Sequence, residues 1–168
     1  MIDVLIIIGI SVFLLFALVI VRGAPFVPTL KPQITEALDL LELKSGQVLL
    51  ELGSGDGRLL RAAAERGIYA VGYELNPLLV VWTKIRHWKY RSYITVKWGD
   101  FWQTSWPESD GMYVFLLHRY MDKLDKKVAQ YAKKKHYKLV SFGFQMPNHK
   151  SKVTRQGLNL YEYNEPVR

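Results

Sequence analysis

The chain contains no cysteine. That removes disulfides, thiolate zinc sites and cysteine nucleophiles together, and it suits a reducing compartment. Acid is scarce as well: 15 Asp and Glu stand against 23 Lys and Arg, a formal charge of +8. Such an excess keeps a soluble domain apart from its neighbours, and it also suits an anionic lipid surface or a nucleic acid. Internal repeats and low-complexity tracts are missing too, which sets repeat architectures aside.

Charge is absent altogether from Val4 to Val21, which reads VLIIIGISVFLLFALVIV. At about 1.5 Å per residue, a helix of that length matches a bilayer's hydrocarbon core. A buried core helix would show a polar face, and a secretory signal would open with Lys or Arg; only Met1, Ile2 and Asp3 precede this run. The expectation is one uncleaved transmembrane helix over residues 1–22. Arg22, Lys31 and a basic remainder follow it, so the positive-inside rule leaves the domain in the cytoplasm or a matrix-equivalent compartment.

What remains is 49% apolar over the whole chain and long enough for one domain. APFVPTLKPQ, with its prolines, predicts a stiff connector, and Ile34–Leu43 a helix stopped by Ser45-Gly46; together they make a unit over 23–46. The domain proper spans 47–168. Strands are expected at Gln47–Leu52, Tyr69–Leu75, Ile94–Trp98, Met112–Leu117, Lys138–Phe144 and, antiparallel, Leu158–Tyr163. Helices are expected at Arg58–Arg66, Pro77–Tyr90 and Tyr120–Lys135. The alternation implies an α/β fold, a mainly parallel sheet with helices on both faces.

The chemistry sits in VLLELGSGDGRL, residues 48 to 59. Glycine-rich turns at the carboxyl ends of parallel strands hold nucleotides. A phosphate P-loop needs Gly-Lys-Ser/Thr, and Gly57-Arg58-Leu59 fails that test. A dinucleotide loop wants G-x-G-x-x-G, whereas here the spacing is G-x-G-x-G with Asp56 where a pyrophosphate would approach. An acid there is tolerable beside a cation, and S-adenosylmethionine carries a sulfonium and an ammonium. Glu74, twenty-three positions after Glu51, ends the next strand where an acid can accept from ribose hydroxyls. Gly99-Asp100-Phe101-Trp102 follows the third strand, an acid beside aromatics placed to meet an adenine.

On these three motifs the chain resembles the class I, seven-β-strand, S-adenosylmethionine-dependent methyltransferases. PFVPT at 25–29, LGSGDGR at 52–58, GYELNPLLV at 72–80, WGDFW at 98–102 and FGFQMP at 142–147 narrow the likeness. They look like the membrane-anchored protein-lysine methyltransferases that act on the c-ring protein of ATP synthase and on the adenine nucleotide translocase, with prokaryotic relatives. The resemblance implies a Rossmann-like seven-stranded sheet and S-adenosylmethionine as cofactor. It implies cofactor contacts from Glu51, Gly53, Ser54, Gly55, Gly57, Glu74, Leu75, Asn76, Asp100 and Phe101, and substrate contacts from Pro28, Thr29 and Trp102.

The expected reaction moves a methyl group to a lysine of a membrane-associated protein, without a metal; the alternative acceptor is an RNA or a small molecule, though no RNA-binding module is appended. A lysine must lose its proton to attack, so Asp100, His118 and Tyr120 are the candidate catalytic groups. Trp98, Trp102 and Trp106 are candidate walls for a methylammonium. The lysines from Lys123 to Lys138 read as a solvated helix face that can also rest on anionic headgroups.

Overall fold

The computed structural model of the chain describes residues 3–4, 6–7, 9–10, 26–133 and 135–164. The expected transmembrane helix lies mostly outside the described residues. Among those described, no helix is long and apolar enough to cross a membrane.

Helix α1 (Lys31–Leu41) leads into strand β1 (Val48–Leu52), helix α2 (Arg58–Glu65), β2 (Tyr69–Glu74) and α3 (Pro77–Arg86). Next come β3 (Ile94–Trp98), β4 (Gly111–Val114), α4 (Met121–Tyr131), β5 (Tyr137–Phe142), β6 (Val153–Arg155) and β7 (Leu158–Tyr163). The seven strands form one sheet in the order β3-β2-β1-β4-β5-β7-β6. The first five are parallel, and β7 runs antiparallel to both β5 and β6. Strand order reverses between β1 and β4, the place where open sheets of this kind bind ligands.

Side-chain alternation along the strands divides the core. Leu49, Ala70, Val96, Tyr113 and Val140 face α1, α2 and α3, and pack with Leu38, Leu60 and Val80. Leu50, Met112, Val114, Leu139 and Tyr161 point the other way and bury Met121, Leu124 and Val128 of α4. The expected helices on both faces are therefore present. A period-two pattern along each strand does this without any special residue.

Several boundaries differ from expectation for identifiable reasons. Helix α1 starts at Lys31, because Pro32 is accommodated in its first turn, where no N–H is needed. It ends before Ser45-Gly46, capped by Glu42 in a left-handed conformation. Helix α3 stops at Arg86; His87 leaves helical geometry and a separate 3-10 turn covers Trp88–Tyr90. Another 3-10 turn, His118–Tyr120, precedes α4. Strand β4 is shorter and earlier than expected, and β6 was missed, since three residues carry no readable periodicity.

Candidate functional site

Strand β1 delivers Glu51 and Leu52 into the loop Gly53–Gly57, and the loop is bound to the next strand by its backbone. The amides of Gly53 and Ser54 both donate to the Tyr73 carbonyl, each at 2.9 Å. Gly55 donates to Glu74 Oε2 at 2.8 Å, and Asn76 donates to Glu74 Oε1 at 2.8 Å. Gly53 has φ +86 with open space where a Cβ would stand, so the chain turns there without narrowing the space in front of it.

From beneath, α3 clamps the same loop: Thr83 Oγ1 donates to the Gly55 carbonyl at 3.1 Å, and His87 Nε2 lies 3.0 Å from the Asp56 carbonyl oxygen. Burial holds the His87 imidazole below its ordinary value, which favours the neutral ring. Gly57 does not line the cavity. It caps α2 at φ +73, and a Cβ there would overlap the Thr83 methyl, so its job is close packing of α2 on α3.

A cavity of about 320 Å³ opens over this loop, at the lower end of the range for small-molecule sites. Of the expected cofactor contacts, Glu51, Gly53, Ser54, Gly55, Glu74, Leu75, Asn76, Asp100 and Phe101 line it. Pro28, Thr29, Trp102 and Tyr120 line it as well. His118 does not: it is exposed on its 3-10 turn, its ring 6.2 Å from that of Phe144. The structure thus leaves Asp100 and Tyr120 as the catalytic candidates on the cavity. Of the three tryptophans, only Trp102 lines it. Trp106 is buried with its Nε1 donating to the Phe101 carbonyl, and Trp98 faces solvent.

Three buried polar atoms in the lining have no partner within the protein: Glu51 Oε2, Ser54 Oγ and Asn76 Nδ2. Burial, with Asp56 and Glu74 close by, holds the Glu51 carboxyl well above the usual glutamate range. Glu74 is also pushed up by burial, against the pull of the backbone N–H groups of Asn76, Gly55 and Leu75. A buried carboxylate without a counter-charge is costly. The cavity is therefore suited to a ligand that brings a cation to Glu51 and polar hydrogens and acceptors to its neighbours.

Asp56 is spoken for. Arg58 holds it in a two-point pair, Nε to Oδ1 at 2.9 Å and Nη2 to Oδ2 at 2.8 Å. Burial pushes the Asp56 carboxyl up, but the Arg58 hydrogen bonds and charge outweigh that, and its value lies below the ordinary one. Its expected place beside a bound cation is therefore taken by Glu51.

The same arginine donates to the Thr29 carbonyl at 3.1 Å, and Thr29 Oγ1 lies 3.1 Å from the Tyr113 hydroxyl. Burial raises the Tyr113 phenol, which stays protonated. These bonds fasten residues 26–29 across the loop, with the Phe26 ring only 2.7 Å from where a Gly55 Cβ would lie. Phe26, Arg58, Tyr113 and Phe115 are lining residues that sequence reasoning missed. Only the start of α2 at Arg58 hinted at any of them.

The opposite wall depends on Lys127. Its ammonium donates to the carbonyls of Phe101, Trp102 and Thr104 at 2.8, 3.1 and 3.2 Å and lies 4.5 Å from the Trp106 ring centre. Asp100 accepts from the Trp102 amide and from Gln103 Nε2, both at 2.9 Å.

Comparison with known proteins agrees with this geometry. Residues 51–153 match the family described as the ANTKMT methyltransferase domain. The chain is 37% identical over 106 residues to the human lysine N-methyltransferase of the ATP synthase c-subunit, covering 62% of this chain and 45% of that protein. It is 31% identical over 132 residues to the mouse adenine nucleotide translocase lysine N-methyltransferase, covering 71% and 57%. The chain thus spans about half the length of the curated relatives it matches. Among solved structures, an RNA methyltransferase from Salinibacter ruber in complex with S-adenosyl-L-homocysteine superposes with a TM-score of 0.72 at 27% identity, covering 84% of this chain and 97% of that one.

Proposed function

Because the chain belongs to the ANTKMT methyltransferase domain family, we propose that it transfers a methyl group from S-adenosylmethionine to a lysine side chain of a membrane-associated protein. The observation that carries this reading is that the family match runs through the residues that build the cavity, from Glu51 to Tyr120. Two named relatives in that family are lysine N-methyltransferases.

The cofactor supplies an activated methyl on a sulfonium. Glu51 offers its unpartnered carboxylate oxygen to a positive group of that molecule, and Ser54 and Asn76 complete their own hydrogen bonding on it. Glu74, held by two backbone amides, keeps lone pairs for ribose hydroxyls. Phe26, Phe101, Trp102, Phe115 and Leu116 exclude water from the rest of the cavity. Removing water around a lysine amine disfavours its charged form, which must be lost before attack from an ordinary value of about 10.4. Asp100 and Tyr120 are the titratable groups placed to accept that proton. Positioning and desolvation therefore do most of the catalytic work.

The charge-free run over Val4–Val21 supports a single-pass anchor with the domain in the cytoplasm or a matrix-equivalent compartment. Tethering raises the effective concentration of a membrane-bound target. One observation favours a second reading, transfer to RNA: the Salinibacter protein named as an RNA methyltransferase is covered almost entirely by this chain.

Incubating the full chain with methyl-labelled cofactor and separated membrane, soluble-protein and RNA fractions distinguishes the two. Label is expected in methyl-lysine of a membrane protein and is expected to vanish with Glu74→Ala. Label confined to RNA would overturn the proposal.

A further inference from the structure

The lysines expected to face a membrane are mostly engaged elsewhere. Lys126 pairs with Asp122 at 2.7 Å, Lys127 is turned onto three carbonyls, and Lys138 pairs with Glu42. A different surface carries unopposed charge. Residues 75–99 contain five cations, Lys84, Arg86, Lys89, Arg91 and Lys97, and no Asp or Glu. All five are exposed.

Between them lies apolar surface that a water-facing helix would not be expected to show. Leu78, Val81, Trp82 and Ile85 of α3 fall at i, i+3, i+4 and i+7 and all face outward, Ile85 at 67% exposure. Trp88 at 64% and Trp98 at 69% extend the same patch beyond the helix. The inner stripe of α3, Val80 and Thr83, is buried against the sheet and the glycine loop, so the helix is apolar on both sides. Guanidinium groups lie against the exposed rings: Arg86 is 5.6 Å from the Trp82 ring centre and Arg91 is 4.8 Å from that of Trp88.

Aliphatic side chains ringed by tryptophan, lysine and arginine match the composition of the interfacial layer of an anionic bilayer. The charge-free run of the N-terminus would cover the apolar part and leave five cations without partners. Lipid phosphates and carboxylates satisfy both.

We propose that the outer face of α3, together with Trp88 and Trp98, is a lipid-docking surface that seats the domain on an anionic membrane. The apolar side chains enter the boundary between headgroups and acyl chains, and the five cations meet headgroup anions. Leu75 and Leu79 line the cavity, as do Gly99 and Asp100 just past Trp98. Docking therefore places the cavity beside the membrane surface. The inference goes beyond the transfer reaction and is read without turnover, so either can fail alone.

The test uses tryptophan emission of the full chain reconstituted in vesicles with bromine-labelled acyl chains, in phosphatidylcholine alone or mixed with phosphatidylglycerol. Quenching is expected to be stronger in the anionic vesicles and to disappear with Trp82→Phe/Trp88→Phe/Trp98→Phe. Neutralising Lys84, Lys89 and Lys97 to Gln is expected to weaken the docking equilibrium about fivefold for each charge removed. Equal quenching in neutral and anionic vesicles, or quenching unaffected by the lysine variant, would overturn the proposal. So would shielding of these tryptophans from an aqueous quencher in detergent, which would show another part of the chain covering the face. Emission that responds to added RNA and not to vesicles would also overturn it.

Discussion

Along its glycine-loop wall the cavity is shaped by backbone, whereas along the facing wall it is shaped by side chains that meet across long sequence separations. Gly53, Ser54 and Gly55 are tied to β2 by their own amides, and Thr83 and His87 hold the loop from below. The facing wall depends on Lys127 reaching back to residues 101–104, and the strap depends on Thr29 reaching Tyr113, 84 positions away. The first wall has little freedom to vary, because backbone geometry and glycine dictate it. The second can change its side chains, and with them its acceptor, while the cofactor end stays the same.

The strongest challenge to that contrast is Gly57→Val. A branched side chain at φ +73 that overlaps Thr83 combines backbone strain with overpacking, together roughly 3 kcal/mol or more. The unfolding midpoint is expected to fall by on the order of 10 °C, with cofactor binding lost alongside. A small shift with affinity retained would show that the loop tolerates far more than its geometry implies.

Next in size is a pH effect. Burial, with Asp56 and Glu74 alongside, raises the Glu51 carboxyl, so folding favours its protonated form. That stability is fully present below the unfolded-state value of about 4.3 and is lost as pH rises through the raised folded-state value. Glu74 contributes with the same sign. Thermal unfolding of the ligand-free protein should therefore show a midpoint that declines as pH climbs above the ordinary glutamate range. Glu51→Gln should flatten the decline, and the difference between the two proteins isolates this residue. An identical slope in both would place the titration elsewhere.

The smallest effect belongs to the facing wall. Lys127→Met removes three charge-assisted hydrogen bonds but keeps the aliphatic stem, and should cost about 1–3 kcal/mol. Its signature is a raised KM for the acceptor with cofactor affinity unchanged. Loss of both together would mean that the two walls are not separable.

The same division decides what could be read from sequence. The loop, Glu74 and Asp100 were legible because each sits at a strand end with fixed spacing from the one before. The parallel sheet followed from alternation. Phe26, Arg58, Tyr113 and Phe115 were not legible, because their place on the cavity depends on contacts that no local pattern encodes. His118 was misplaced by adjacency: it neighbours Tyr120 in the chain, yet the 3-10 turn puts it in solvent. Gly57 was assigned to the ligand, and the structure gives it to helix packing.

Glu51 supports the central claim, that the glycine-loop wall selects a cationic donor through a buried carboxylate with no partner of its own. The most direct test is a calorimetric binding cycle using wild type and Glu51→Gln with two ligands. One is S-adenosylmethionine; the other is 5′-methylthioadenosine, which shares the nucleoside and lacks both positive groups. Wild type should prefer S-adenosylmethionine strongly, and Glu51→Gln should erase about 2–3 kcal/mol of that preference while leaving the neutral nucleoside's affinity nearly unchanged. Equal losses for both ligands, or no loss for either, would contradict the account.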